Sequence, residues 1–303
     1  MVPQSMDSNL ARAPLRETPA DRPRLLAAIE APAAAASAAR ELHLGPPHVA
    51  EGQRLSALSM ALRIAFGVAV YAICAVVVLA LLVVCLPSRK LRMKIGNHTG
   101  HVTGRLAAWL SGSSYHVRGV EHLDPKRPAI YVANHASILD IVLGIWLAPV
   151  GTVGVAKKEI VRYPFFGQYY WLSGHLRIDR KNARSALRSL RQLSALVAKH
   201  ALSVFIWPEG QRSLDGRLRP FKRGAFRLAL ETRLPVVPVV IAGSHRAWPR
   251  GAVRLSRANV TITCLPAIDT TSWKAETLGQ HAQQIEDLFA ATLPADQKPL
   301  TKA

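Results

Sequence analysis

Residues 129–140 read Ala-Ile-Tyr-Val-Ala-Asn-His-Ala-Ser-Ile-Leu-Asp. The first five are apolar in succession and include Ile130, Tyr131 and Val132, the composition of a strand buried on both faces. Asn134 to Ser137 interrupt the run with polar turn formers, and over 138–147 apolar positions recur at helical spacing. A strand that passes through a short turn into a helix is the repeating unit of an α/β fold.

Outward from this unit the alternation continues. The pattern predicts strands at 152–156, 176–179, 203–207, 236–241 and 260–264, and helices at 183–199, 225–231 and 277–292. The expected fold is a mixed α/β sheet flanked by helices. Helix 183–199 sets Ala186, Leu187, Leu190, Leu193 and Val197 on one face and Arg184, Arg188 and Arg191 on the other.

Residues 64–86 carry no charge across 23 positions. As a helix they extend about 34 Å, enough for a hydrocarbon layer of roughly 30 Å. They are too long for the apolar region of a secretory signal, and Val83-Val84-Cys85 offers no small-residue cleavage site. Arg89, Lys90, Arg92 and Lys94 follow, against Arg54 and Arg63 before, so the positive-inside rule places the following domain in the cytoplasm at the inner membrane. A monotopic helix and a re-entrant hairpin remain open alternatives.

The expected organisation is a disordered Ala/Pro/Arg-rich segment over 1–53, a membrane anchor with its basic flank over 54–94, an α/β domain over 95–293 and a polar tail over 294–303. A start of translation at Met60 is an alternative to the long N-terminal segment.

Lys and Arg number 39 against 19 Asp and Glu, a field that attracts phospholipid head groups, nucleic acid or acidic proteins. Against nucleic acid, aromatic residues do not interleave with the basic runs and no recognition motif appears. Cys74, Cys85 and Cys264 form no Cys-x-x-Cys pair, and no His-Glu-x-x-His spacing is present, so neither a disulfide framework nor a metal site is expected.

Four stretches carry candidate chemistry. In the first, His135 stands five positions before Asp140. The two meet only if His135 lies on the turn and Asp140 in the first helical turn, where a carboxylate would fix the imidazole tautomer and leave a base near neutral pH. Ser137-x-x-Asp140 before an apolar run is equally a helix capping box, so a structural reading stays open. The second runs from Lys157 through Pro164-Phe165-Phe166-Gly167 to Ile178-Asp179-Arg180. It joins an apolar contact to cations at strand ends. The third, Trp207-Pro208-Glu209-Gly210-Gln211-Arg212-Ser213, is a strand entering a glycine turn, and Arg212 is a planar fork suited to phosphate. Lys222 and Arg223 stand close behind it. The fourth, Leu234 to Ile241, is a buried-strand pattern whose Pro238 requires an edge or a bulge.

In this order and frame the chain resembles the glycerophospholipid acyltransferases, bacterial 1-acyl-glycerol-3-phosphate acyltransferases above all. Asn134-His135 with Asp140, Pro164 to Arg180, Pro208-Glu209-Gly210 with Arg212-Ser213, and the Val-Pro run at Pro238 are similar to that family's four signatures. The resemblance covers about residues 128–241. It implies transfer of a fatty acyl group from a thioester to the sn-2 hydroxyl of lysophosphatidate, giving phosphatidate, with His135 as general base and Asp140 as its partner. It further implies that Arg180, Glu209, Gly210 and Arg212 hold the acceptor, that Lys157 assists and that Pro238 lies near the acyl chain. Acyl carrier protein or coenzyme A would bring the donor, membrane phospholipid and lysophospholipid would be the lipid partners, and no cofactor would be needed. Gln211, Trp207 and Arg177 depart from the family pattern. Arg177 and Gln211 bear on the acceptor's head group, and none of the three touches the proposed base. Another lysolipid, such as a lyso-ornithine lipid, is the nearer alternative acceptor, and a noncatalytic basic membrane-tethered protein the more distant reading.

Overall fold

The computed structural model describes residues 40–162, 166–178, 183–252 and 255–300. Eight strands form one sheet: β1 (Glu41–Leu44), β2 (Ser114–Arg118), β3 (Ile130–Ala133), β4 (Thr152–Lys157), β5 (Leu176–Ile178), β6 (Ser203–Ile206), β7 (Val236–Ala242) and β8 (Asn259–Cys264), in the order β1-β2-β8-β7-β3-β6-β4-β5. From β7 through β3, β6, β4 and β5 all neighbours are parallel, whereas β8 runs antiparallel to β7 and β1 antiparallel to β2. The expected mixed α/β sheet is present.

The helices are α1 (Ala57–Val84), α2 (Arg89–Leu110), α3 (Leu139–Leu147), α4 (Phe166–Leu172), α5 (Ala183–His200), α6 (Gly224–Thr232), α7 (Ser244–Ala247) and α8 (Leu278–Thr292). On one face of the sheet, Tyr131, Ala133, Phe205, Val237, Val239 and Ile241 pack with Leu139, Leu143 and Trp146 of α3 and Ala108 of α2. On the other, α6 lies on β3 and α8 on β7, burying Phe226, Leu228, Ile285 and Phe289. Covered on both faces, the central strands have no need of polar alternation, which is why they read as continuous apolar runs.

Ser56 caps α1 by accepting the amide of Ser59, and the helix ends at Cys85, just before Pro87, which cannot continue it. Much of α1 is exposed: Ile73, Val76 and Val84 are 69%, 72% and 78% accessible. Among the described residues it is the one helix long and apolar enough to cross a membrane. It runs antiparallel to α2, held by Arg63 donating to the carbonyls of Trp109 and Leu110 and by Tyr71 Oη donating to that of Thr103. Helix α2 was not foreseen, because its residues are polar on average. Gly96, Gly100 and Gly104, spaced four apart, let it approach its neighbours closely: a Cβ on Gly104 would stand 2.9 Å from the backbone nitrogen of Trp146 in α3. Between these glycines, buried Asn97 accepts the amides of Gly151 and Thr152 and donates to the Thr152 carbonyl. Helix α2 is thereby tied to β4.

Three expectations are corrected. The segment read as disordered to residue 53 pairs with the sheet from Glu41, since Leu42 and Leu44 turn onto the core; residues 1–39 lie outside the described residues. A boundary at residue 95 falls inside α2. The domain does not close at residue 293, because Gln297 in the polar tail is fully buried and its side chain accepts the Gly243 amide.

Candidate active site

All five parallel strands end on the same edge of the sheet, where ligands bind in open α/β folds. His135 follows β3, Glu209 and Arg212 follow β6, and Lys157 closes β4 as an exposed residue. Arg180, placed by the sequence after β5, lies outside the described residues, as do Pro164, Phe165 and Asp179.

Asp140 is fully buried in the first turn of α3. Its Oδ2 accepts three hydrogen bonds, from His135 Nδ1 at 3.0 Å and from the backbone amides of Ala136 and Ser137 at 2.6 Å each. Both readings of the sequence are therefore realised in part. The carboxylate receives helix-end amides as a cap would, but the N-cap residue is Ile138 rather than Ser137, and the same oxygen holds the imidazole. A carboxylate only accepts, so Nδ1 carries the hydrogen and Nε2 keeps its lone pair. The His135 side chain is 11% exposed, open enough to meet a substrate hydroxyl and otherwise dry.

The loop carrying His135 is clamped at both backbone groups. Its amide donates to Glu209 Oε1 at 2.7 Å, and its carbonyl accepts the amide of Ser213 at 2.8 Å. The glycine-turn motif thus fixes the base from behind. Glu209, expected to hold the acceptor, is instead 2% exposed and turned inward. Burial drives its pKa up to about 8, nearby Asp140 adds to the rise, and the His135 amide and Arg219 oppose it. Asn134 adds a third tie, exchanging two hydrogen bonds with Ile241 at the end of β7.

Gly210 adopts φ +75°, which the turn asks of a glycine, and Lys222 is laid over it, its Nζ 2.9 Å from where a Cβ would stand. Arg212 presents an enclosed Nη1 that has no hydrogen-bond partner among the described residues, a donor suited to an anion. Trp207, expected to stay clear of the base, instead lies against His135 with ring centroids 5.2 Å apart and the rings tilted by 32°. Its larger ring is accommodated by Gly144 of α3, where a Cβ would touch it at 3.0 Å. Beside it opens a pocket of about 200 Å³ with an apolar floor that includes Val155, Ile178, Leu190 and Ile206, and with Gly210 and Lys222 at its rim.

Pro238 does not lie on an edge. It is buried in β7 opposite Val132, between β3 and β8. Its carbonyl accepts the Leu265 amide, while Val236 pairs with Ile268, so the partner segment carries one extra residue here. The bulge accommodates the missing N–H, so of the two placements the sequence left open Pro238 takes the bulge and not the edge.

Sequence reasoning missed the segment after β7. The Trp248 carbonyl accepts the Ser137 hydroxyl, Pro249 bridges to Ser137, and Arg250 Nη1 donates to the Arg212 carbonyl. One strap therefore holds the His135 loop and the Arg212 loop together. Its only signal in the sequence is position, directly after a strand that ends on the site's edge.

A family model described as Acyltransferase matches residues 114–242. The chain is 43% identical over 220 residues to the 1-acyl-sn-glycerol-3-phosphate acyltransferase of Limnanthes alba, covering 73% of this chain and 78% of that one. To the Escherichia coli K12 protein of the same name it is 34% identical over 197 residues, 64% of this chain and 79% of the other. The crystal structure of the 1-acyl-sn-glycerophosphate acyltransferase PlsC from Thermotoga maritima superposes with a TM-score of 0.63 at 25% identity, over 76% of this chain and 95% of that one. A buried carboxylate orienting a histidine at the sheet's carboxyl edge, in a chain so closely related to these enzymes, means that this protein belongs to the glycerophospholipid acyltransferases, in the 1-acyl-sn-glycerol-3-phosphate acyltransferase group.

Proposed function

We propose that the protein transfers a fatty acyl group from a thioester to the sn-2 hydroxyl of lysophosphatidate, forming phosphatidate. The observation that carries this reading is the 3.0 Å contact between His135 Nδ1 and Asp140, which leaves Nε2 as an oriented base. Nε2 takes the hydroxyl proton as the oxygen attacks the thioester carbonyl. Asp140 stabilises the imidazolium so formed. Collapse of the tetrahedral intermediate breaks the carbon–sulfur bond, and the proton passes to the departing thiolate. A base of this kind contributes about 10²- to 10⁴-fold in rate. The cations at the same edge, Arg212, Lys222 and Lys157, suit the acceptor's phosphate, and the apolar pocket beside Trp207 suits a chain. Glu209 acts as a positioning residue for the base.

The test is acyl transfer to lysophosphatidate from acyl carrier protein and coenzyme A thioesters, with membranes holding wild type or His135→Ala. Phosphatidate from wild type alone supports the assignment. Product with a lyso-ornithine lipid but none with lysophosphatidate would replace the acceptor, and the two donors compared side by side identify the carrier.

The protein associates with membranes through α1. We read α1 as lying in one leaflet rather than crossing it. Strand β1 precedes the helix and β2 follows α2, yet the two strands pair in one sheet, so the chain on either side of α1 stays on one side of the bilayer. Basic residues flank both ends of the helix and suit an anionic cytoplasmic leaflet. Cysteines introduced at His48 and Lys126 would then be labelled from the same face of sealed vesicles; labelling from opposite faces would refute the in-plane arrangement.

A further inference from the structure

At the sheet edge opposite β5, the two outermost strands carry three ligand-type side chains on one face. Pairing sets His43 directly across from His116 and Glu41 across from Arg118. The alternation that turns Leu42, Leu44, Tyr115 and Val117 onto the core turns Glu41, His43 and His116 to the other side. The two imidazoles lie with ring centroids 4.1 Å apart. Both Nε2 atoms approach a single oxygen, Glu41 Oε2, His116 at 2.9 Å and His43 at 3.9 Å. All three ligand atoms fall within 4.8 Å of one another. The 2.9 Å approach is not along a hydrogen-bonding direction, so His116 Nε2 is enclosed with no hydrogen-bond partner among the described residues.

Two imidazole nitrogens and a carboxylate oxygen facing a common point match the donor set of a borderline divalent cation. Zinc bonds of about 2.0–2.2 Å place tetrahedral ligand atoms roughly 3.3 Å apart, a small contraction for half-exposed side chains. Arg118 Nε lies 3.4 Å from the other carboxylate oxygen, Oε1. It holds Glu41 in place and leaves Oε2 turned toward the imidazoles, as outer partners do for metal-bound carboxylates.

We infer that Glu41, His43 and His116 bind a divalent cation of the zinc class, which fastens β1 to β2. These strands bracket the α1–α2 hairpin, so the cation closes the length of chain that meets the membrane. The site is three to four strand positions from β3, about 14–19 Å at the usual strand spacing, and takes no part in the transfer chemistry.

Calorimetric titration of zinc chloride into the full-length, detergent-solubilised enzyme, with any affinity tag removed, tests the assignment. One site is expected in the wild type. His43→Ala, His116→Ala and Glu41→Gln should each weaken it by about tenfold or more and abolish the zinc-dependent rise in unfolding temperature, with acyl transfer retained. His43 is 55% exposed, so its substitution carries the test should His116→Ala fail to fold. Absence of a zinc site in the wild type, or an unchanged site in His43→Ala, would overturn the inference.

Discussion

Replacing Asp140 by asparagine keeps the shape of the site and removes its charge. In the wild type one charged oxygen accepts the His135 Nδ1 hydrogen and two backbone amides at 2.6 Å. An asparagine oxygen at the Oδ2 position can accept the same three hydrogens, with its NH₂ where Oδ1 stands without a hydrogen-bond partner among the described residues, but it carries no charge. The imidazolium that forms as Nε2 takes the hydroxyl proton then faces a neutral amide instead of a carboxylate, and its stabilisation is lost. The expected fall in kcat/KM is about 10³-fold, or ~4 kcal/mol of transition-state stabilisation. Because the lost interaction operates only in the transition state, kcat should fall by the same factor with little change in KM. Exchanging a charged acceptor for a neutral one at two amides weakens each by about 1 kcal/mol. That predicts a decrease of roughly 4–8 °C in unfolding temperature for a domain of this size. Initial rates with an acyl thioester and lysophosphatidate, measured well below the lowered transition, separate the two effects. A folded Asp140→Asn enzyme with kcat/KM within about tenfold of wild type would refute the reasoning that the Asp140 charge stabilises the His135 imidazolium.

Glu209 supplies a pH test. Its folded pKa of about 8 lies above its ordinary value, so the folded state binds the proton more tightly than the unfolded one. The resulting stability is present at low pH and is lost as pH rises toward and through about 8. Glu209→Gln keeps an acceptor for the His135 amide and should flatten this decline between pH 5 and 8 on the order of the transition's width; an unchanged slope in unfolding midpoints would assign the pH dependence to other groups. Gly104→Ala drives a Cβ against the Trp146 backbone at 2.9 Å, which cannot swing away as a side chain can. It should cost about 1–3 kcal/mol, read by thermal unfolding, and wild-type stability would show that α2 and α3 pack otherwise.

The central strands were legible because burial on both faces writes itself into composition, as in Ile130 to Ala133 and Val236 to Ile241. Their following helices were legible from apolar spacing. Helix α2 was not, since it is held by glycines and by buried Asn97 rather than by an apolar stripe. Nor was β1, four residues long, whose two inward leucines gain their partners only across the sheet. Arg180 had a plausible place in the pattern but lies outside the described residues.

His135, Asp140 and the Glu209–Arg212 turn could be named from the sequence because four ordered motifs together resemble one family; the spacing of His135 and Asp140 by itself left a capping box equally open. The sequence likewise determined that α1 is long and apolar enough for a membrane. Only the tertiary structure decided that Glu209 turns inward to hold the His135 amide, that Pro238 sits at a bulge inside the sheet, and that the Trp248–Arg250 strap joins the two loops. It alone also brought His43 to His116. Each of these depends on contacts between residues far apart in the chain. Local propensity and spacing carry no record of such contacts until the strands have paired.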